Sequence, residues 1–293
     1  MFSLVAAAAV ALGGCTSSRS VAMPAPSETA ARTLHDLTYA STSPWQQLDL
    51  YLPVRATDPA PLVIWVHGGG WHTGDKSAIA TRYDPSAPPP KPASCTDIVQ
   101  VQVPDVLALT AKGYAVASVN YRLDRDPGTA LKDAKAAVRF LRANAAGYHL
   151  DPERFAAWGD SAGGYTAIML GVTGGQRTVF DDAALGNAEV SSAVQAVVDW
   201  FGPTDAANMP GHVGAVGIPY TYIVAGRRLP PFRIAHGDAD CIVPAGQSRH
   251  LYAALTKAGG VATLAILPGA GHEDPAFMRT QLTPTVAFLD ETL

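Results

Sequence analysis

The unbroken apolar run Leu62-Val63-Ile64-Trp65-Val66 fits a strand buried on both faces of a sheet. Further strand candidates follow it at 114–121 (YAVASVNY), 154–158 (RFAAW), 194–201 (VQAVVDWF), 231–236 (PFRIAH) and 261–268 (VATLAILP). The run QLDLYL at 47–52 precedes it, with the polar–apolar alternation of a half-exposed strand. Helical patterns separate most of these runs. The clearest is TALKDAKAAVRFLRANA, where Leu131, Ala134, Val138 and Leu141 share one face. Others start at Ser161, near Gly246 and near Pro284. Strands alternating with helices imply βαβ units with right-handed crossovers, hence an α/β architecture with a mostly parallel sheet covered on both faces. No internal repeat is visible.

A length of 293 residues, 48% hydrophobic and only 16% charged, suits one large domain with a substantial core. The net charge of -4 is small, and Lys and Arg form no cluster beyond pairs such as Arg227-Arg228. That distribution argues against a nucleic-acid partner.

Residues 4–12, LVAAAAVAL, have the length of a signal h-region and are too short to span a bilayer as a helix. The following Gly13-Gly14-Cys15 makes LGGC resemble the lipobox of bacterial lipoproteins, in which the Cys is lipidated and becomes the mature N-terminus. Basic residues before the run are missing, a departure from that pattern. A plain secretory leader is the alternative, and export follows from either. The expected organisation is a signal peptide with a lipobox-like cysteine over 1–15, a flexible Ser/Ala/Pro-rich tether over 16–33, and a folded domain over 34–293 that starts near Leu34. The expected location is therefore outside the cytoplasm, on a membrane through a lipid on Cys15. In an exported chain, Cys95 and Cys241 either form a disulfide or stay as separate buried thiols. The Pro- and Ser-rich stretch 77–98 reads as a surface loop bordering the mouth of the site, either an inert insertion or a substrate-recognition loop.

In a parallel sheet the ligand crevice lies at the carboxyl ends of the strands, and the reactive residue types of this chain follow strand candidates. His67-Gly68-Gly69-Gly70-Trp71 follows 62–66, and Gly159-Asp160-Ser161-Ala162-Gly163 follows RFAAW. Asp238 and Asp240 follow PFRIAH, and His272 follows VATLAILP. The second string fits the G-x-S-x-G turn, a sharp strand-to-helix corner that strains the serine backbone and leaves no room for side chains at 159 and 163. A serine hydroxyl becomes a nucleophile when an imidazole takes its proton and a carboxylate fixes that imidazole's tautomer.

His272, in the glycine-rich PGAGHED, is the preferred base over His236, at a strand end, and His250, in a helical run. Asp238 and Asp240 are both candidates for the acid. Backbone N–H groups of Gly69 and Gly70, with Ala162 as a third donor, are the expected oxyanion hole. His67 is expected to pin its loop, and Trp71 either packs or lines a pocket. Negative charge at Glu273 and Asp274 is expected to favour an imidazolium at 272, unless both side chains point to solvent. Neither zinc-type ligand spacing nor a nucleotide-binding glycine pattern occurs, so neither a metal nor a cofactor is expected.

From about Trp45 to Asp290 the chain resembles bacterial α/β-hydrolase esterases related to hormone-sensitive lipase, particularly the bifunctional feruloyl and acetyl-xylan esterase type. The resemblance rests on LDLYLP, HGGGW with Gly74-Asp75-Lys76, SVNYRL, GDSAGG, DWFGPTD, HGDADCIVP and PGAGH. It implies hydrolysis of carboxylic esters through an acyl-enzyme by Ser161, His272 and Asp240. The later aspartate is chosen because HGDADCIVP resembles H-G-x-x-D-x-x-V-P. The segment from Asp205 to Asp240 is short for this family, which implies a small cap and an open site. The expected substrates are short-acyl or carbohydrate-linked esters. Peptidase or lactonase activity by the same triad, and a non-catalytic anchored binding protein, are the competing readings.

Overall fold

The computed structural model of the protein describes residues 32–54, 58–78, 105–205 and 218–293. Eight strands form one sheet: β1 (Arg32–Thr38), β2 (Gln47–Leu52), β3 (Ala60–Val66), β4 (Ala115–Val119), β5 (Leu150–Asp160), β6 (Ala196–Trp200), β7 (Phe232–Gly237) and β8 (Ala262–Leu267). Their order is β1-β2-β4-β3-β5-β6-β7-β8. The β1–β2 and β2–β4 pairs are antiparallel and all others parallel. This is the mostly parallel sheet of the α/β-hydrolase fold.

The interior strands are mainly apolar because helices cover both faces. Along β3, Leu62, Ile64 and Val66 join one core with α2 (Pro127–Ala143), α4 (Ala162–Thr173) and α5 (Gly246–Lys257). Val63 and Trp65 join the other, with α1 (Val106–Ala111) and α6 (Ala276–Thr292). A period of two thus persists inside an unbroken apolar run. On α2 the expected face of Leu131, Ala134, Val138 and Leu141 is fully packed, and the one-turn α3 (Ala145–Tyr148) follows it. Asp126 caps its start by accepting from the Gly128 N–H, with Pro127 in the first turn.

Three elements differ from the expectations. β1 begins at Arg32, two residues ahead of Leu34, and pairs with β2 as an edge strand with a register shift between Leu34 and Leu37. The last helix starts at Ala276, and Pro284 lies inside it rather than at its start. The short α1 has no counterpart in the periodicity. The expected leader, Cys15, the tether up to residue 31, Cys95 and most of the 77–98 loop lie outside the described residues, as do residues 206–217 of the short cap segment. Among the described residues no helix is long and apolar enough to cross a membrane.

Candidate active site

The turn from β5 into α4 places Ser161 at φ 49° and ψ −120°, a strained backbone that holds the hydroxyl at the carboxyl edge of the sheet. Its N–H donates to the Trp200 carbonyl at 3.0 Å, which ties the turn to the end of β6. Gly163 is required by close approach. A Cβ there would run into the carbonyl oxygens of Val66 and His67, so the helix start and the glycine loop after β3 are in backbone contact. A Cβ at Gly159 would meet the Gly163 carbonyl in the same way. The expectation of no room at 159 and 163 holds for that reason.

The structure brings Ser161, His272 and Asp240 together from three separate strand ends. Ser161 Oγ lies 2.9 Å from His272 Nε2, and His272 Nδ1 lies 2.6 Å from Asp240 Oδ2. A carboxylate only accepts, so Nδ1 carries the proton and Nε2 faces the hydroxyl as an acceptor. Asp240 Oδ1 accepts the N–H groups of Ile242 at 2.9 Å and Val243 at 2.8 Å. Burial alone would raise this carboxyl. Hydrogen bonds from His236 and His272, the charge on His272 and the Val243 N–H outweigh it, and Asp240 stays well below the usual carboxylate range. Asp238 instead accepts from the Gly269 N–H at 2.6 Å, in the turn after β8. Cys241, next to the acid, is disulfide-bonded, and Cys95, its partner in one of the two alternatives, lies outside the described residues.

Behind the serine, the glycine loop is fixed on several sides. Gly69 and Gly70 adopt φ of 101° and 59°, open to glycine at little cost. The Tyr121 hydroxyl donates to the carbonyls of His67 at 2.9 Å and Gly68 at 3.1 Å. His67 Nδ1 lies 2.8 Å from the Gly68 carbonyl, and its ring stacks on Tyr121 at 4.4 Å. Burial pushes the His67 imidazole down, so it remains neutral and pins the loop as expected. Lys76 ties the same loop to β2 and β1 through Asp49 at 2.7 Å and Asp36 at 2.8 Å. Ala162 begins α4 beside Ser161, where unpaired helix N–H groups favour an anion. Trp71 is 2% exposed and packs edge-on against Tyr165, which resolves its role toward packing.

His250 belongs to the exposed part of α5. Glu273 is 6% exposed and does not point to solvent, whereas Asp274 is half-buried and accepts from the Ala276 N–H that opens α6. Beside Glu273 lies Asp160. Its carboxyl is pushed well above the usual range, first by burial and then by the charge of Glu273, against a lowering bond from the Gly68 N–H. Two carboxyls therefore flank the Ser161–His272 pair from within the protein. Nothing in the G-D-S string marks Asp160 as buried; its signal is only its place next to a residue whose side chain must point outward. Among the described residues no group of three or more His, Cys, Asp or Glu could hold a metal ion.

This geometry coincides with similarity to known proteins. The chain is similar to esterase LipQ of Mycobacterium tuberculosis, 28% identical over an alignment 258 residues long that covers 78% of this chain and 52% of that protein. It spans about half the length of the curated relatives that it matches. Among solved structures it is similar to a truncated form of a carbohydrate esterase from gut microbiota, at 28% identity and TM-score 0.68, covering 91% of this chain and 98% of that one. A bifunctional GH43-CE protein of Bacteroides eggerthii is similar at 27% identity and TM-score 0.70, covering 88% of this chain and 38% of that one. The BD-FAE family model matches residues 48–86 and 96–217, more than half of the chain. On this match and on its sheet topology, the chain belongs to the BD-FAE family and has the α/β-hydrolase fold.

Proposed function

We propose that the protein is a serine carboxylesterase acting on short-acyl or carbohydrate-linked esters through an acyl-enzyme on Ser161. The observation that carries this reading is the continuous line from Ser161 Oγ through His272 to Asp240, with contacts of 2.9 and 2.6 Å. In the first half-reaction Nε2 takes the hydroxyl proton while Oγ attacks the ester carbonyl. The N–H groups of Gly69, Gly70 and Ala162 receive the developing oxyanion, and His272 then protonates the leaving alcohol. Water repeats these steps on the acyl-serine. The carbohydrate esterase and esterase names of the similar proteins support the substrate class. A panel of p-nitrophenyl esters of increasing acyl length, acetylated sugars, lactones and peptides tests it. Turnover confined to peptides or lactones would replace the ester reading, and a folded protein that neither turns over nor labels with a fluorophosphonate would remove catalysis altogether.

A negative charge beside His272 favours the imidazolium, which takes the base out of action at higher pH. Glu273→Gln is therefore expected to move the acidic limb of kcat/KM for p-nitrophenyl acetate downward. A profile that superimposes on the wild type would show that the Glu273 charge does not reach the base.

The same proposal places the domain outside the cytoplasm, held to a membrane by a lipid on Cys15. It is supported by the apolar run at 4–12 and the LGGC that follows. Cells expressing the full chain are expected to incorporate labelled palmitate into it, and Cys15→Ala to lose the label. Equal labelling of both would rule out Cys15 as the anchor.

A further inference from the structure

His236 lies near the end of β7 with no exposure, outside the line from Ser161 to Asp240, yet its ring reaches that line from behind. Nε2 is 2.8 Å from the Val243 carbonyl and 3.3 Å from Asp240 Oδ2, and Nδ1 is 2.7 Å from Ser248 Oγ on α5. Both neighbours of Nε2 are acceptors only, so Nε2 carries a proton whatever the charge of the ring. Ser248 both donates and accepts, and by donating to Nδ1 it satisfies the neutral ring. The oxygen of Asp240 that receives His272 therefore also faces a second imidazole N–H. A phenylalanine would fill the same apolar space against Phe201, whose ring packs 6.4 Å from that of His236. It would leave the Val243 carbonyl, buried at the centre of the acid-bearing turn, without this donor. Packing alone does not explain the residue.

We propose that His236 is a positioning residue: its Nε2–H, shared between the Val243 carbonyl and Asp240 Oδ2, fixes the turn that carries the acid and draws off part of the carboxylate's charge, which sets how strongly Asp240 favours a protonated His272. This rests on the reading of Ser161, His272 and Asp240 as the catalytic line. A carboxylate that loses one of its two imidazole donors concentrates its charge on the remaining one. The imidazolium at 272 then gains stability, and the acidic limb of kcat/KM moves to higher pH. Other charged or titratable groups face the pair. Asp199 on β6 acts on His236, and its own carboxyl is pushed up to about 7 by burial, against the Gly202 N–H and the charge of His236. Glu273, next in the chain, and Asp160 at the end of β5 lie on the side of His272. Ser248 and the Phe201 ring complete the surroundings.

The test compares His236→Leu and His236→Gln in the full protein, using pH profiles of p-nitrophenyl acetate hydrolysis with thermal melts as the folding control. Glutamine carries its amide nitrogen the same number of bonds from Cβ as His Nε2, so it restores the donor without the ring. His236→Leu is expected to lose about tenfold in kcat, the value of one hydrogen bond to a charged group, with KM little changed. Its acidic limb should rise by about half a pH unit, and His236→Gln should return both quantities toward wild type. Wild-type profiles in both variants, or equal loss in both with no movement of the limb, would overturn the proposal. Where His236→Leu lacks a cooperative melt, His236→Gln and His236→Asn decide, since asparagine places its N–H near Nδ1 and away from Asp240. A raised limb in Asn alone supports the proposal, and matching limbs overturn it. Turnover surviving in Ser161→Ala would instead overturn the catalytic reading beneath it.

Discussion

Ser161→Ala is expected to lower kcat for p-nitrophenyl acetate by about a millionfold, leaving only the residual rate that an intact oxyanion site and substrate binding supply. The magnitude follows from the arrangement rather than from the hydroxyl alone. Once Oγ is gone, Nε2 of His272 has nothing to deprotonate at the point where the three strand ends converge, and the remaining groups cannot act as a unit. The fold should persist. Alanine has the same Cβ as serine and meets the same strain at φ 49°, and the N–H that bonds the Trp200 carbonyl is retained. A wild-type melting temperature with turnover below detection, and loss of fluorophosphonate labelling, is the expected result. Turnover within tenfold of wild type would remove Ser161 from the chemistry.

What the sequence made legible were features that local chemistry dictates. β3 reads as buried because it is packed on both sides, and an unbroken apolar run such as LVIWV is stable inside a covered sheet. The G-D-S-A-G turn is legible for a similar reason: contact with the Val66 and His67 carbonyls admits only glycine at 163, so a steric fact is written as a residue identity. β1 was not legible. Its residues RTLHDLT form an edge with only part of one face covered, so hydrophobicity leaves little trace. Pro284 misled because a proline usually opens a helix or breaks it, whereas here packing of Phe277, Met278 and Val286 carries α6 through it.

Buried charge was the least legible feature, because its partners are distant in the chain. Lys135 lies on α2 with its side chain completely buried, held by Asp181 at 2.7 Å from a loop 46 residues later. Desolvation pushes its ammonium down while Asp181 draws it back. Helical periodicity sets Lys135 nearer the apolar face than the half-buried Lys132 of the same helix, but it does not reveal the partner that lets a lysine be buried there. The same reason hides Glu273, which reads as a loop acid until the sheet brings Asp160 against it.

Asp240→Asn is expected to cost about 10⁴-fold in kcat with little loss of stability, and the cause is a reversed proton pattern. Oδ1 of Asp240 accepts two backbone N–H groups, from Ile242 and Val243. An asparagine must keep its oxygen there, since its amide group would otherwise point N–H at N–H. Its amide nitrogen then takes the place of Oδ2 and faces His272 Nδ1, where the native carboxylate accepts at 2.6 Å. Two donors cannot share that contact, so the imidazole moves its proton to Nε2 and offers Nδ1 as the acceptor. Nε2–H now points at the Ser161 hydroxyl and has no lone pair with which to take its proton. The geometry survives while the base is lost. The His236 Nε2–H meets the same amide and is left with the Val243 carbonyl alone, so the small loss of stability should appear as a melting temperature a few degrees lower. Kinetics of p-nitrophenyl acetate hydrolysis check the first effect and thermal denaturation the second. An Asp240→Asn protein within tenfold of wild type would mean that the tautomer of His272 is set by something other than this carboxylate.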